Sequence, residues 1–415
     1  MAKRRRGSGL AVTVAWTVMS LAIVFVLANV GAWIAFRLFP DRIVSANIRT
    51  TYDFFARYDG ELARYREDWF GLKPGGWPQY VAEIKDRIAR GGNAYEDFTM
   101  FKPVPSSGTY VNFPEAGYRS VGADLQGPWP IDPANYNVFF FGGSTAMGTA
   151  SDQATIARFL QVDLQAGRPA RPVRVYNFGR GSYFSTQDSI LFQNLLRSGA
   201  KPDLAVFLHG LNDLFFLDGR PSAWNVYDAA LQEHARRVRE QVAGVTELRP
   251  RWTSLQEFAL SLPLVKLAGA IGGASAQGSA TAYQPVVTDP DQLRRAIQRY
   301  RGTARLIQAV ADGSGVKAAF VIQPVPGYHY DLKKHLALDP RFGLGGHERS
   351  GQGYPLLLES LQREPLGGAT VIWAADTAQD YPEAAYLDAV HYTRGFSEAL
   401  AKHIAAALGA RGLLD

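Results

Sequence analysis

Few residues in this chain are suited to covalent chemistry. There is no Cys, so thiolate nucleophiles, thiolate metal sites and disulfides are excluded. Ser144 stands out by its setting. In NVFFFGGSTAMG, residues 137–148, an apolar run stops at two glycines and hands over to a serine. A serine hydroxyl is a weak nucleophile until a base takes its proton and a third group orients that base. Of the seven histidines, His391 lies in YLDAVHYTRG, three residues after Asp388. An Asp at that spacing can reach the imidazole Nδ1–H, hold the tautomer and stabilise the imidazolium. Attack on an acyl carbonyl also needs donors aimed where the oxyanion forms. VYNFGRGSYFSTQ offers backbone N–H groups at Gly179, Gly181 and Ser182, and FLHGLND offers the side-chain amide of Asn212. Each feature has a plainer reading. A serine at a turn caps helices, Gly-rich turns close many strands, and Asn-Asp makes Asx-turns.

The elements that must position these residues follow from the hydrophobic pattern. Apolar strands are expected over 137–141, 173–178, 204–209, 317–323 and 370–374, with amphipathic helices around 153–165, 186–197, 291–311 and 354–363. Strands alternating with helices predict a parallel sheet covered on both faces. Ser144, the glycine turn, Asn212 and the Asp388/His391 pair then all fall at or beyond C-terminal strand ends, the edge where open α/β sheets bind ligands. Before this region, 41–90 reads as amphipathic helix rich in aromatics, and 95–133 as Pro- and Gly-rich with short β-prone runs. A long interruption, about 217–290, contains a charged helix at 229–245, an apolar stretch at 258–271 broken by Pro263 and Lys266, and a Gly/Ser/Ala-rich run at 272–282. It is expected to be a cap over the site, a decorative insertion being the alternative.

The formal charge of +6 does not point to nucleic acid. Lys3, Arg4, Arg5 and Arg6 supply four of those charges, and the remainder is interspersed with acids. Residues 10–36 carry no charge, with Trp16 and Trp33 towards the two ends. That run exceeds the roughly 20 residues needed to cross a bilayer core. The basic cluster before it predicts a cytoplasmic N-terminus and an extracytoplasmic body, in the inner (cytoplasmic) membrane of a cell with a periplasm. A cleaved signal peptide fits less well, because its apolar core is usually shorter than this run and no convincing small-x-small cleavage site is found. The expected organisation is a basic tail (1–9), a signal anchor (10–36), a membrane-proximal segment (41–133) and a catalytic domain (134–415) carrying the cap.

The order and spacing of these residues resemble the SGNH (GDSL-like) hydrolase superfamily. The resemblance implies a flavodoxin-like three-layer α/β fold. It also implies Ser144 in GGSTAMG as nucleophile, Asn212 in GLND as an oxyanion donor, and Asp388 and His391 in DAVH as acid and base. The second block, N-x-G-x-x-G in the family, matches at Asn177 and Gly179. Ser182 stands at the last Gly position, with Gly181 before it, so the oxyanion hole falls to backbone N–H groups at Ser144 and at Gly181 or Ser182, with Asn212. The first block reads GGST rather than GDS. NFPEAGYR, upstream, resembles a stretch that precedes the first block in membrane-anchored members, with approximate spacing. His209 and Arg119 are further candidates for a substrate contact, a structural hydrogen bond being the alternative for His209. Two rival frameworks fit worse. An α/β-hydrolase elbow wants G-x-S-x-G, and a dinucleotide fold wants G-x-G-x-x-G with an acid ending the second strand.

The expected activity is an extracytoplasmic serine esterase or deacylase acting on an acylated glycan or lipid. Transfer of the acyl group to an envelope polysaccharide, with an integral-membrane acyl-donor partner, is one alternative. A non-enzymatic assembly protein that keeps the fold is the other. No metal or organic cofactor is expected, since the His residues are scattered without ligand spacing.

Overall fold

The computed structural model describes residues 6–38, 46–167, 171–219, 235, 238, 262–265 and 286–414. Most of the cap expected at 217–290, with its charged helix and Gly-rich run, lies outside the described residues, as do residues 1–5. Met1–Ala56 with Arg236–Ala282 makes one compact unit, and Arg57–Ala235 with Tyr283–Asp415 makes another.

The first unit holds helix α1 (Arg6–Leu38). Its Val12–Ile34 stretch, 23 residues with mean hydropathy 2.1, is long and apolar enough to cross a membrane. A helix from a soluble core would bury such a face, yet Leu21, Val24 and Leu27 are all exposed. Two of its polar side chains bond within the helix. Thr17 Oγ1 donates to the Thr13 carbonyl and Asn29 Nδ2 to that of Phe25, which keeps unpaired donors off an apolar surface. Asn29 Oδ1 in turn accepts the backbone N–H of Leu264, 3.2 Å away, from the insertion.

The second unit begins within helix α2 (Ala46–Asp59) and continues through α3 (Arg66–Trp69) and α4 (Trp77–Ala89). An antiparallel hairpin follows, β1 (Asn93–Glu96) and β2 (Met100–Pro103). Then comes the α/β body. It runs β3 (Tyr136–Gly142), α5 (Ser144–Met147), α6 (Ile156–Gly167), β4 (Val173–Asn177), α7 (Ser185–Arg197), β5 (Leu204–His209), α8 (Leu211–Phe215), α9 (Pro290–Ser314), β6 (Lys317–Ile322), α10 (Glu348–Arg363), β7 (Thr370–Trp373) and α11 (Arg394–Ala410). The five body strands pair in parallel in the order β4-β3-β5-β6-β7. Counted within the body this is 2-1-3-4-5, the flavodoxin-like arrangement.

Strand side chains alternate between two faces, and both faces are covered. Phe139, Phe141, Phe207 and Phe320 pack with Phe192 of α7, Ile297 and Ile307 of α9 and Leu357 of α10. Val138, Phe140, Val206 and Val321 pack with Leu160 and Leu164 of α6 and Ile404 and Leu408 of α11. Rings stack across three neighbouring strands, Phe141 on Phe207 at 4.8 Å and Phe207 on Phe320 at 5.6 Å. Burial on both faces explains why these strands read as unbroken apolar runs.

Candidate active site

β3 ends at Gly142, whose φ of 145° suits glycine. A Cβ there would lie 2.6 Å from the Leu208 carbonyl oxygen of the neighbouring strand. Gly143 is extended, and Ser144 opens the single-turn helix α5, half-buried at the C-terminal edge of the sheet. Thr145 Oγ1 donates to Gln323 Oε1 at 2.9 Å, which fastens this turn to the residue just beyond β6.

Asn212 comes to the same turn from α8. A Cβ on Gly143 would meet Asn212 Nδ2 at 2.4 Å, so the amide rests against the backbone immediately before Ser144. One Nδ2 proton goes to the Tyr183 carbonyl, 2.8 Å away. An amide nitrogen carries two. Beside it, Asp213 holds α8 in place by accepting from Ser185 Oγ at 2.5 Å and from the Gly210 N–H at 3.3 Å.

The glycine turn after β4 packs onto α5. A Cβ on Gly179 would lie 2.3 Å from the Met147 nitrogen. Asn177 organises both sides, since its Nδ2 donates to the Ala146 carbonyl and its Oδ1 accepts the Gly179 N–H at 3.0 Å. The expectation that Gly179 leaves an N–H free is therefore corrected. Ser182 sits at φ 62°, a left-handed conformation at the position where the resembled motif has glycine. The turn is anchored from behind by Arg180, whose Nη1 reaches the Phe101 carbonyl and Tyr183 Oη and pairs with Glu96.

Asp388 and His391 share a loop just before α11. Asp388 Oδ1 accepts the N–H groups of Val390 and His391, and Oδ2 lies 2.6 Å from His391 Nδ1. The Leu387 N–H closes the loop on the His391 carbonyl at 2.8 Å. Burial pushes the Asp388 carboxyl up, but the His391 imidazole and the hydrogen bonds to it outweigh that and hold it well below the usual carboxylate range. His391 Nε2 is shielded from solvent and has no partner among the described residues. Tyr392 Oη donates to the Pro324 carbonyl at 2.7 Å. The loop is thus tied to the residue next to the one that holds the serine turn. Among the described residues no hydrogen bond joins Ser144 directly to His391. Such bonds are often long before substrate arrives and tighten on binding.

Two candidates prove to be structural. Arg119 is buried, with Nε on Asp152 Oδ1 at 2.7 Å and Nη1 and Nη2 on the carbonyls of Gly148 and Ala150 at 2.6 Å each. Its donors brace the chain that follows Ser144. Asn112, from the same NFPEAGYR stretch, donates to Asp152 Oδ2 at 2.8 Å, which gives that stretch its physical role. His209 is buried with its Nε2 3.1 Å from Asp188 Oδ2, the structural alternative.

Sequence reasoning missed His335 and His347. Burial lowers both to about 4, against an opposing pull from Asp388. Each is therefore neutral near the Asp388 loop at neutral pH. His335 stacks on Tyr386 at 5.3 Å, and His347 on Phe215 at 4.5 Å, one helical turn beyond Asn212. No spacing pattern links either residue to the loop. Only the contacts do.

No protein-family model matches the chain, and no curated protein matches it. Among solved structures, it is similar to LAE5, an alpha/beta hydrolase enzyme from the metagenome of Lake Arreo, Spain, at 13% identity and a TM-score of 0.36, over 68% of this chain and 97% of that one. It is also similar to a catalytic mutant of Axe2, an acetylxylan esterase from Geobacillus stearothermophilus, at 13% identity and TM-score 0.36, over 66% and 95%. A third likeness is to a protein from Desulfitobacterium hafniense DCB-2, described as lipolytic and of the G-D-S-L family, at 10% identity and TM-score 0.35, over 66% and 100%. Likenesses of this degree carry no argument about activity. The strand order and the contacts above carry the fold.

Proposed function

We propose that this chain is a membrane-anchored serine esterase or deacylase of the SGNH type. In this reading Ser144 attacks an ester carbonyl, His391 takes its proton and later returns it to the leaving alcohol, and Asp388 holds His391 in the right tautomer. The N–H groups at Ser144 and Ser182, with Asn212 Nδ2, receive the oxyanion. The observation that carries the reading is the Asp388–His391 contact of 2.6 Å beside an Nε2 that is sheltered and without a partner among the described residues, at the sheet edge where Ser144 stands. The basic residues before α1 support an N-terminus in the cytoplasm and a body on the outer face of the inner membrane, where the substrate would be an acylated glycan or lipid.

The test is labelling of the full chain with a serine-reactive fluorophosphonate. The expected result is stoichiometric labelling that Ser144→Ala abolishes; labelling that persists in that variant rules the assignment out. Transfer to a glycan hydroxyl shares the acyl-enzyme, and the apolar helix α1 favours it as a second reading because an integral-membrane partner could deliver the acyl donor. Product analysis with and without a glycan acceptor separates the two.

A further inference from the structure

Residues 57–80 lie outside every motif considered above, yet they grip both loops of the proposed site. On the base side, Tyr58 is 1% exposed and its Oη donates to the carbonyl of Leu387, the residue before Asp388, at 2.6 Å. The Leu387 N–H already closes the loop on His391. Both backbone polar groups of Leu387 are thus engaged, one within the loop and one by Tyr58. On the nucleophile side, Tyr80 Oη donates to the Thr149 carbonyl. Ser151 N–H donates to the Phe70 carbonyl and Ser151 Oγ to that of Gly71, each at 3.0 Å. Gly71 touches both sides at once. At φ 63°, a Cβ there would lie 2.8 Å from Ala154 Cβ, 3.1 Å from Ser151 Oγ and 3.3 Å from Arg394 Cδ, three residues past His391.

The segment is stiff enough to transmit position. Tyr58, Phe70, Trp77 and Tyr80 form one aromatic box, with Tyr58–Phe70 centroids at 4.9 Å, Phe70–Trp77 at 5.1 Å and Trp77–Tyr80 at 5.6 Å. Trp77 Nε1 donates to Asp59 Oδ1 at 2.8 Å, locking the box to the end of α2. Large rings in mutual contact leave few alternative packings.

We infer that this aromatic brace sets the separation between Ser144 and His391, and that Tyr58 is a positioning residue for the base. The inference rests on the esterase reading for its catalytic consequence, but the restraint on the 387–391 loop stands on the contacts alone. The step affected is proton transfer from Ser144 to His391, where small misplacements are costly. An error of about 1 Å in such a geometry costs up to about a hundredfold in rate.

The test uses the full chain with Tyr58→Phe and Tyr80→Phe, which keep the rings and remove one hydroxyl each. Four quantities are measured: p-nitrophenyl acetate kinetics, the rate of fluorophosphonate labelling, thermal melting, and amide hydrogen exchange over 387–391. For Tyr58→Phe the expected result is a cooperative melt, kcat lower by about tenfold with KM within about twofold, correspondingly slower labelling, and faster exchange at Val390 and His391. A purely structural role would lower the melting temperature and leave kcat per labelled site unchanged, and that outcome overturns the proposal. So does wild-type exchange over 387–391 in Tyr58→Phe. Tyr80→Phe should slow labelling without changing exchange at 387–391, which separates the two grips. A wild-type chain that neither labels nor hydrolyses ends the esterase reading, while the exchange comparison still decides the brace.

Discussion

Ser182, which the proposed reading places in the oxyanion hole, is held in an unusual backbone torsion. Its φ of 62° is a conformation that residues other than Gly, Asn and Asp rarely adopt. Arg180 and Tyr183 on either side hold it there through the Phe101 carbonyl. Replacing Ser182 with Gly removes the strain of about 1–2 kcal/mol but returns part of it as unfolded-chain entropy. Ser182→Gly should therefore keep kcat within about twofold and change stability by less than about 1 kcal/mol. Ser182→Val, β-branched at positive φ, should lose about 1–3 kcal/mol and lower kcat as the N–H turns away. Urea melts and ester kinetics on the two variants check this, and a Val variant as stable and active as the parent would remove the turn from the reading. The residues of the candidate site stood out in the sequence because the acyl chemistry proposed for it would demand a short list of groups, and the chain carries them at strand ends. The role of Arg119 was not legible; for His209 a structural hydrogen bond was foreseen, but not its partner. An arginine in a loop reads as exposed until Asp152, 33 positions away, closes on it, and a histidine ending a strand shows nothing of the Asp188 that meets it.

Among the elements, α10 shows where local preference yields to packing. The periodicity predicts a helix around 354–363, whereas Gly351, Gly353 and Pro355 all disfavour helix. The helix starts at Glu348 and carries Pro355 inside it. The reason lies in its neighbours. Tyr354 Oη donates to the Gln323 carbonyl at 2.8 Å, and Ser350 Oγ to that of Leu211, also at 2.8 Å. The glycines let the helix approach backbone closely, for a Cβ on Gly351 would lie 2.4 Å from the Gly327 carbonyl oxygen. The other body helices and strands given bounds from the sequence end within a few residues of that reading, since continuous apolar runs and amphipathic stripes mark them without help from distant chain. Gly351→Ala should then destabilise by about 1–3 kcal/mol, although alanine favours helix by roughly 1 kcal/mol in isolation. Thermal denaturation of this variant decides the sign, and a stabilised protein would mean that the close approach to Gly327 is not a constraint.

At the scale of the whole molecule, pH couples the site to stability through histidines that folding keeps neutral. Burial lowers His335 and His347 from 6.5 to about 4 in the folded chain, with Asp388 opposing in both cases and the neighbouring Arg57 or His391 and Arg349 assisting. The sign follows from proton counts. Between pH 6.5 and about 4 the unfolded chain binds protons at these positions that the folded chain refuses, so ν of the unfolded state exceeds that of the native state and stability rises with pH. Stability should thus be full above about 6.5 and fall as pH drops towards 4. The depressed carboxyl of Asp388 acts in a separate window, because its contribution is present above its ordinary value of 3.8 and is lost only as pH falls below it. His335 is the cleaner of the two histidines to test, being 5% exposed and stacked on Tyr386. His335→Phe keeps a ring of similar size and cannot titrate. Its stability should match or approach that of the parent at pH 7.5 and exceed it near pH 4.5, by on the order of 1–3 kcal/mol. Guanidinium melts of both proteins at pH 7.5, 6, 5 and 4.5 measure the two slopes. Parallel curves over that range would show that His335 takes up its proton in the folded state as readily as in the unfolded one, and the acid sensitivity would then have to be sought at His347.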